Sequence, residues 1–275
     1  MSTFPRIAIL GAGSMGGAIL SGLVQSGAPA DGITVTNRSE AKAAPLRSLA
    51  GVTSLSSETD PDANRAALIG ARLVLVAVKP AMVADLLREL HDAFEPDALI
   101  VSVAAGVTIA TMEELVPQVV FRAMPNTPSI VRRGVTGLAS GSRASAEEAA
   151  LVRSLFETVG AVVEVPEEQM NALSTISGSG PAYVFFLIER LTEAAQHLGF
   201  DEAQARLLVE QTFLGASLLL DQADVGPEEL RRRVTSPKGT TERAIGVMAE
   251  ADLTSMFDRA TASALARAQQ MAQDR

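Results

Sequence analysis

A glycine-rich segment near the start of the chain has the spacing that nucleotide-binding proteins use to hold phosphates. Gly11-Ala12-Gly13-Ser14-Met15-Gly16 follows an apolar run, Ile7–Leu10, that predicts a strand, and precedes a helical pattern ending near Gln25. In this arrangement the first glycine permits a tight turn, the second lets a pyrophosphate approach the backbone, and the third lets helix and strand pack closely. The helix start then offers free N–H groups to the phosphates. The whole segment, with Ser14 and Met15, predicts a dinucleotide site.

The residues after the second predicted strand, Ile33–Thr36, indicate which nicotinamide cofactor is preferred. An NAD-specific fold usually presents Asp or Glu there to the ribose 2′-hydroxyl, whereas this chain has Asn37, Arg38 and Ser39. The Arg38 guanidinium can bind and stack on an adenosine 2′-phosphate, and the two neutral neighbours would not repel it. The pattern favours NADPH, with NADH as the second possibility. A solvated surface role for Arg38 is the alternative interpretation.

The elements that must position these residues alternate between strand and helix, which is typical of a parallel sheet covered by helices. Leu73–Val78 is apolar at every position, so we expect this strand to be buried on both faces. Helices are predicted at Glu40–Leu49, with Ser39 as its N-cap, and at Met82–Phe94. Another helix is predicted from Ser145, whose spacing to Glu148 fits a capping box, to about Val159. Further strands are predicted at Leu99–Val103, Val119–Met124, Val135–Ala139 and Ala161–Val165.

From Pro166 onward the pattern changes to helical periodicity alone. We therefore predict an α/β fold, with a Rossmann-type doubly wound sheet over residues 1–165 and an all-helical region over residues 166–275. Several of the later helices are apolar on more than one face, which favours a homo-oligomer formed through this region. Packing on the chain's own first region is the alternative. The predicted helices are Ala182–Leu198, Asp201–Gln222, Pro227–Arg233 and Leu253–Gln270.

Composition excludes several classes of protein and site. The 275 residues carry 23 basic and 32 acidic side chains, and a net charge of −9 argues against nucleic-acid binding. The absence of cysteine excludes disulfides, thiolate nucleophiles and cysteine-based metal sites, and no metal site is predicted. No apolar stretch approaches the roughly 18 residues of a membrane helix. The start of the chain has only a short apolar run, so we expect a cytoplasmic location.

Few side chains suit the proton transfer that alcohol oxidation requires. A nicotinamide enzyme acting on an alcohol needs a base, commonly His, Lys or Tyr. Both histidines lie in helical patterns where a structural role is expected. A substrate that already carries its proton, such as a cyclic iminium ion, needs only positioning and hydride delivery. The shortage therefore favours C=N reduction. The chain's complete set of these residues is Lys42, Lys79, Lys238, Tyr183, His91 and His197.

Several segments together resemble the pyrroline-5-carboxylate reductase family, which catalyses the last step of proline biosynthesis. The resemblance implies NADPH-dependent reduction of L-1-pyrroline-5-carboxylate to L-proline. It also implies a helical domain that interlocks with a partner subunit, giving homodimers and in some members decamers. The matching segments are GAGSMGGAIL at the start, AVKP at Ala77–Pro80, AAGVTI at Ala104–Ile109, MPNTP at Met124–Pro128, SGSGPAY at Ser177–Tyr183 and VTSPKGTTERAI at Val234–Ile245.

The resemblance also implies roles for individual residues. Ser236, Thr240 and Thr241 match the segment that holds the substrate carboxylate, and Thr241 matches a catalytic threonine that hydrogen-bonds the ring nitrogen. Read without the family, the segment is an ordinary helix start. Asn126 is expected on the nicotinamide side, with a turn residue as the alternative. The family's commonest form has glycine where Lys238 stands, so a turn that needs φ > 0 would be strained here. Residues expected to flank the cofactor are Ala77, Val78, Lys79, Pro80, Ala104, Ala105 and Gly106.

Two other functions remain open from the sequence. A β-hydroxyacid dehydrogenase shares the glycine-rich opening and a helical second domain, but relies on a lysine that this chain lacks between Lys79 and Lys238. A non-catalytic NADP-binding regulator would keep the fold without the chemistry. The presence of Ser236, Thr240 and Thr241 argues against the regulator.

Overall fold

The strands form one eight-stranded sheet within the part of the chain that the structure describes, residues 4–27 and 31–273 of a computed structural model. The strand order is β3-β2-β1-β4-β5-β6-β7-β8, and neighbours are parallel except for the antiparallel pair β6 and β7. The order reverses between β1 and β4, as in doubly wound folds. The predicted Rossmann-type sheet is therefore confirmed. The strands are β1 (Ile7–Leu10), β2 (Ile33–Asn37), β3 (Val52–Ser56), β4 (Leu73–Val76), β5 (Leu99–Ser102), β6 (Val119–Met124), β7 (Gly134–Ser140) and β8 (Gly160–Glu164).

The central strands are buried on both faces because their successive side chains enter two different hydrophobic clusters. In β1, Ile7 and Ile9 pack in one cluster while Ala8 and Leu10 pack in the other. The four residues of β4 alternate between the same two clusters. Side chains on a strand point alternately to opposite faces, so continuous burial requires a layer on each side. This confirms the interpretation of the LVLV run as a strand covered on both faces.

Most predicted helices are present, and their ends have identifiable causes. Ser145 Oγ accepts from the Glu148 N–H, and the Glu148 carboxylate accepts from the Ser145 N–H, which lowers the pKa of Glu148. This is the predicted capping box. The helices are α1 (Ser14–Ser26), α2 (Glu40–Ala43), α3 (Ala63–Leu68), α4 (Pro80–Leu90), α5 (Ile109–Leu115), α6 (Ala146–Glu157), α7 (Met170–Leu173), α8 (Gly180–His197), α9 (Glu202–Gln222), α10 (Pro227–Arg233), α11 (Thr240–Glu250) and α12 (Leu253–Gln273).

The helix predicted at Glu40–Leu49 is wrong in length. The α-helix ends at Ala43 and continues only as a 3₁₀ turn over Ala44–Ser48. Pro45 explains the change, because its ring has no N–H to donate and clashes with the carbonyl four residues earlier in an α-helix. Ser39 does precede the helix, but its side chain makes no capping hydrogen bond.

Strand β3 and helices α3, α5 and α7 were not among the predicted elements, and of α11 only the start, at Thr240 and Thr241, was expected. In β3 the polar residues Thr53, Ser54 and Ser56 obscure the pattern. The Ser54 hydroxyl is buried because it donates to the Ala43 carbonyl at 2.9 Å. A buried hydroxyl is stable when it forms a hydrogen bond inside the fold. In a hydrophobicity pattern, however, such a serine cannot be told from a loop residue. Strand β4 also ends two residues earlier than predicted, at Val76.

The described chain divides into two compact units. One contains the residues up to Ser179 together with those from Ala264 onward, and the other is Gly180–Ser263. The first holds the sheet and both hydrophobic clusters, and the second is helical. The boundary expected near Val165 stays a prediction.

The helical unit leaves many large apolar side chains exposed in the single chain. Among the hydrophobic residues that the structure describes in this unit, only Ala205 and Val209 are buried. Phe185 and Phe186 on α8 are 60% and 58% exposed, and Leu219 on α9 is 55% exposed. Exposed apolar surface of this extent marks an association interface.

None of the helices within residues 4–27 and 31–273 combines the length and hydrophobicity that crossing a bilayer requires. The same ranges contain no group of three or more His, Cys, Asp or Glu side chains placed to hold a metal ion.

Candidate active site

The glycine-rich turn lies at the carboxyl end of β1, where the strand order reverses. Gly11 has φ +93°, a conformation that a residue with a Cβ rarely adopts. The N–H groups of Gly11 and Ala12 donate to the Thr36 carbonyl at 3.2 and 2.9 Å, and the Ala77 N–H donates to the Leu10 carbonyl at 2.9 Å. The turn is thereby fixed to the ends of both neighbouring strands. Ligands bind at such a reversal in open α/β sheets.

The spacing of the other glycines in the turn fits a dinucleotide. A Cβ on Gly16 would lie 2.5 Å from the Gly11 carbonyl oxygen, so α1 packs against β1 only without that side chain. A Cβ on Gly13 would meet no protein atom within 4 Å, which leaves space for a ligand at the start of α1. These are the roles that the sequence assigns to the two positions. Cofactor contacts by Ser14 and Met15 stay predictions.

The residues expected to determine the preference between NADPH and NADH lie at the end of β2. Asn37 is buried, and its Nδ2 has no hydrogen-bond partner in the described structure. Arg38 is exposed, and it forms no ion pair with a described residue. Ser39 lies between Arg38 and the start of α2. A buried amide donor without a partner, beside an unpaired guanidinium, suits an anionic nucleotide.

Two more loops leave the sheet at the same edge as the glycine turn, because β4 and β5 are parallel to β1. Ala77–Lys79 connect β4 to α4, which begins at Pro80. After β5, Val103 donates its N–H to the Val76 carbonyl at 3.1 Å. Ala104 is buried and Gly106 turns the chain with φ +75°. The structure thus brings the sequence-predicted cofactor residues of these loops to one edge, including Ala105.

Both polar atoms of the Asn126 side chain make hydrogen bonds within the protein. Its Nδ2 donates to the Ser177 carbonyl at 2.9 Å, and its Oδ1 accepts from the Val135 N–H at 2.8 Å. The residue therefore ties the loop after β6 to β7 and to a π-helical turn, Ser174–Gly178. A contact with nicotinamide stays a prediction. The interpretation as a turn residue therefore missed the long-range hydrogen bonds of Asn126. The two motifs that Asn126 joins, MPNTP and SGSGPAY, were the only sign of this role in the sequence.

The residues expected to hold the substrate lie at the start of α11 in the helical unit. Gly239 precedes the helix, and its N–H donates to the Ser236 carbonyl at 3.0 Å. Thr240 and Thr241 form the first two positions of the helix. The hydroxyls of Ser236, Thr240 and Thr241 have no hydrogen-bond partner among the described residues. Free hydroxyls beside free helix N–H groups are suited to a carboxylate.

Lys238 adopts a left-handed backbone conformation, with φ +62°. Its N–H donates to Glu242 Oε2 at 2.8 Å, which holds the turn before α11. Residues other than glycine are uncommon in this region, and asparagine and aspartate tolerate it best. The geometry explains why the resembling family usually has glycine here. It also means that this chain carries local strain next to the proposed carboxylate site.

Replacing Lys238 with glycine is therefore expected to stabilise the protein by about 1 kcal/mol, because the left-handed conformation costs a lysine roughly that much. An increase of about 2–4 °C in Tm is the corresponding calorimetric result. Lys238→Asn should give part of the gain, and Lys238→Arg should give none. A glycine variant with unchanged or lower Tm would show that the turn is not strained.

No pattern in the sequence pointed to Glu58 as part of this site. Its Oε2 accepts from the Glu40 N–H at 2.8 Å, at the start of α2. The residue follows β3, a strand that was not predicted, so the sequence offered no reason to place it beside the end of β2. Glu40 itself is paired with Arg47, and this hydrogen-bonded pairing lowers the pKa of the Glu40 carboxyl.

Two family models match separate parts of the chain. Residues 167–271 match the model described as pyrroline-5-carboxylate reductase dimerisation. Residues 6–106 match the model described as NADP oxidoreductase coenzyme F420-dependent. The N-terminal region is thus similar to an NADP-binding domain, and the C-terminal region to a dimerisation domain.

Full-length relatives agree with these matches. The chain is 36% identical to the pyrroline-5-carboxylate reductase of Pseudomonas aeruginosa, over 99% of this chain and 98% of that one. The structure of a pyrroline-5-carboxylate reductase from Coxiella burnetii superposes with a TM-score of 0.89 at 38% identity, covering 96% and 97% of the two chains. A pyrroline carboxylate reductase from Plasmodium falciparum with NADP bound has a TM-score of 0.79, covering 97% and 98%. At 23% identity it shows the fold alone.

Proposed function

The chain belongs to the pyrroline-5-carboxylate reductase family and catalyses that family's NAD(P)H-dependent reduction; from this premise we propose how its residues divide the work. The residues at the carboxyl edge of the sheet hold the dinucleotide, with NADPH preferred over NADH. The start of α11 holds the carboxylate of L-1-pyrroline-5-carboxylate. Thr241 is the catalytic residue, and the product is L-proline. The β-hydroxyacid dehydrogenase and the non-catalytic regulator are set aside, because full-length relatives carry the reductase activity.

The observation that carries the substrate assignment is the set of unpartnered hydroxyls at the start of α11. Ser236, Thr240 and Thr241 present three hydroxyl groups within six residues, next to N–H groups that the first helical turn leaves free. The positive end of the helix dipole adds to the attraction for an anion. In this turn the Glu242 carboxylate already accepts a hydrogen bond from the Lys238 N–H. A second carboxylate, from the substrate, would use the hydroxyls and the remaining N–H groups.

Catalysis by this arrangement depends on orientation and hydrogen bonding. The bound cofactor supplies a hydride, which adds to the carbon of the C=N bond. The substrate binds as the iminium ion, so its ring nitrogen already carries the proton that the product amine keeps. As the hydride adds, the π electron pair of the C=N bond moves onto nitrogen as a lone pair, and the Thr241 hydroxyl donates a hydrogen bond to that lone pair. Fixing the carboxylate through Ser236 and Thr240 sets the position of the ring. A donor aimed at the atom where charge changes stabilises the transition state more than the ground state.

Thr241→Ala is expected to lower kcat by roughly ten- to a hundredfold, because a hydrogen bond to a charged group contributes about 1.5–3 kcal/mol. Thr241→Ser keeps the hydroxyl and should retain most of the activity. Ser236→Ala and Thr240→Ala should mainly raise KM, since they bind the part of the substrate that does not react. The measurement is steady-state oxidation of NADPH with pyrroline-5-carboxylate. Wild-type kcat in the alanine variant would remove Thr241 from the mechanism.

The cofactor preference is proposed on Arg38. An exposed guanidinium without an ion pair among the described residues is free to form a bidentate contact with a 2′-phosphate. Arg38→Ala is expected to lower kcat/KM for NADPH by about tenfold, the effect of losing roughly 1.4 kcal/mol of binding, and to leave NADH nearly unchanged. Arg88→Ala removes an exposed arginine from α4 and serves as the control. An unchanged NADPH-to-NADH ratio in the Arg38 variant would reject the assignment.

The dimerisation domain implies a homodimer, formed through the helical region. The exposed apolar side chains on α8 and α9 supply a surface for this association. Assembly of dimers into a decamer and a cytoplasmic location are further proposals, which the resemblance to the family supports.

A further inference from the structure

A carboxylate from the loop after β3, the strand next to β2, lies beside the segment after β2 that is assigned to the adenosine end of the cofactor. Because β2 and β3 are parallel and pair Asn37 with Ser56, the loops that follow them leave the same edge of the sheet. Glu58 reaches across to the first residue of α2, where its Oε2 accepts from the Glu40 N–H at 2.8 Å. The Glu58 carboxylate thus contacts a residue that lies two positions along the chain from Arg38, the group assigned to the 2′-phosphate.

The negative charge of Glu58 is not offset by an ion pair within the described ranges. Glu40, its neighbour at the start of α2, is instead paired with Arg47. Glu58 is exposed, like Arg38, and no described lysine or arginine pairs with it. A bound nucleotide would therefore meet one unpaired cation and one unpaired anion at this end of the crevice.

We propose that Glu58 is a specificity-determining residue, which weakens binding of the 2′-phosphorylated cofactor and favours the cofactor with a free ribose 2′-hydroxyl. A carboxylate accepts a hydrogen bond from a 2′-hydroxyl, as the acidic residue after β2 does in NAD-specific folds. The same carboxylate repels a phosphate dianion. In this chain the acidic residue comes from the loop after β3, so a sequence search at the end of β2 does not find it. The inference rests on the proposed function, in which Arg38 attracts the 2′-phosphate.

The test compares equilibrium binding of NADPH and NADH to Glu58→Gln and to the wild-type enzyme, by calorimetry in the absence of substrate. Glutamine keeps an oxygen that accepts from the Glu40 N–H while removing the charge. We expect NADPH to bind about three- to tenfold more tightly, as for loss of one like-charge contact in a solvent-exposed site. NADH should bind equally or more weakly. Adenosine 2′,5′-bisphosphate should gain affinity as NADPH does, since it carries the 2′-phosphate without the nicotinamide.

Asp60→Asn is the matched control. Asp60 lies two residues further along the same loop, but its Oδ1 accepts from the Asp62 N–H, so the variant removes an equal charge that has a different local partner. Equal gains in Glu58→Gln and Asp60→Asn would overturn the proposal, because the effect would then be one of net charge. No change in the NADPH-to-NADH affinity ratio of Glu58→Gln would also overturn it.

Two further measurements separate this proposal from the one on which it rests. An unchanged NADPH-to-NADH affinity ratio in Arg38→Ala would reject the role of Arg38. The role of Glu58 is tested separately, by the affinity ratio of Glu58→Gln. The gain in Glu58→Gln should shrink as ionic strength rises from about 0.01 M to about 0.1 M, since the screening length falls from about 30 to about 10 Å. A gain that does not respond to salt would contradict the electrostatic origin.

Discussion

Glu167→Ala is expected to destabilise the protein by about 3–5 kcal/mol, the cost of leaving one member of a buried ion pair without its partner. Arg122, on β6, is only 3% exposed, and its Nη1 donates to Glu167 Oε1 at 3.1 Å. Its Nη2 donates to Asn171 Oδ1 at 3.2 Å, while its Nε has no described partner. An arginine does not lose its proton in a protein, so removing the carboxylate leaves a buried charge with a single neutral acceptor.

The expected effect is larger for the glutamate than for the arginine. Glu167 is 26% exposed and also accepts from the Ile109 N–H at 2.8 Å, so Arg122→Met leaves a carboxylate that water and the backbone still solvate. We therefore expect Arg122→Met to cost clearly less than Glu167→Ala. Urea unfolding, followed by circular dichroism at one fixed protein concentration, measures both.

Glu168→Ala is the control for the ion pair. Glu168 is the next residue along, is exposed, and has no ion pair with the described residues. A surface substitution of this kind should change the free energy of unfolding by no more than about 0.5 kcal/mol. Similar losses in Glu167→Ala and Glu168→Ala would show that the pair with Arg122 is not the source of stability.

Gly16→Ala is expected to weaken NADPH binding by about ten- to a hundredfold and to lower stability by about 1–3 kcal/mol, as overpacking does. The added Cβ would lie 2.5 Å from the Gly11 carbonyl oxygen and 3.1 Å from the Ala77 Cβ. To relieve this contact, α1 must move away from β1, and the turn that receives the pyrophosphate moves with it. Calorimetric titration with NADPH and urea unfolding measure the two losses.

Two neighbouring glycines provide matched controls with different expected outcomes. A Cβ on Gly17 would lie 3.8 Å from the Ala12 carbonyl oxygen, an ordinary contact, so Gly17→Ala should keep the fold and even gain up to about 1 kcal/mol of helix stability. A Cβ on Gly13 would meet no protein atom within 4 Å, so Gly13→Ala should keep stability and lose affinity alone. Equal behaviour of all three variants would contradict the separate roles of these glycines.

The glycine turn, the central strands and the capping box were predictable because their signals are local. Ile7–Leu10 and the glycines after it belong to one continuous stretch, and the two faces of β4 are both apolar in the sequence itself. Ser145 and Glu148 satisfy each other over three residues. In each case the partner atoms are close along the chain, so spacing alone predicts the contact.

The strand and the side-chain contacts that the sequence did not predict depend on hydrogen-bond partners that are distant along the chain. β3 contains hydroxyls that become buried because Ser54 finds the Ala43 carbonyl, eleven residues earlier. Asn126 joins Val135 to Ser177, which lies fifty-one residues away. The Arg122–Glu167 pair spans forty-five residues. Charged and polar residues give no sign in the sequence of which long-range partner will satisfy them.

Periodicity and contiguous motifs were enough to predict the doubly wound sheet, the family and the residues expected to hold cofactor and substrate. The left-handed turn at Lys238 and the position of the Glu58 carboxylate beside the end of β2 are visible only in the folded chain. A backbone angle depends on how the flanking elements meet. Parallel pairing likewise brings a loop from another strand to the same edge, and neither effect leaves a pattern in the order of the residues.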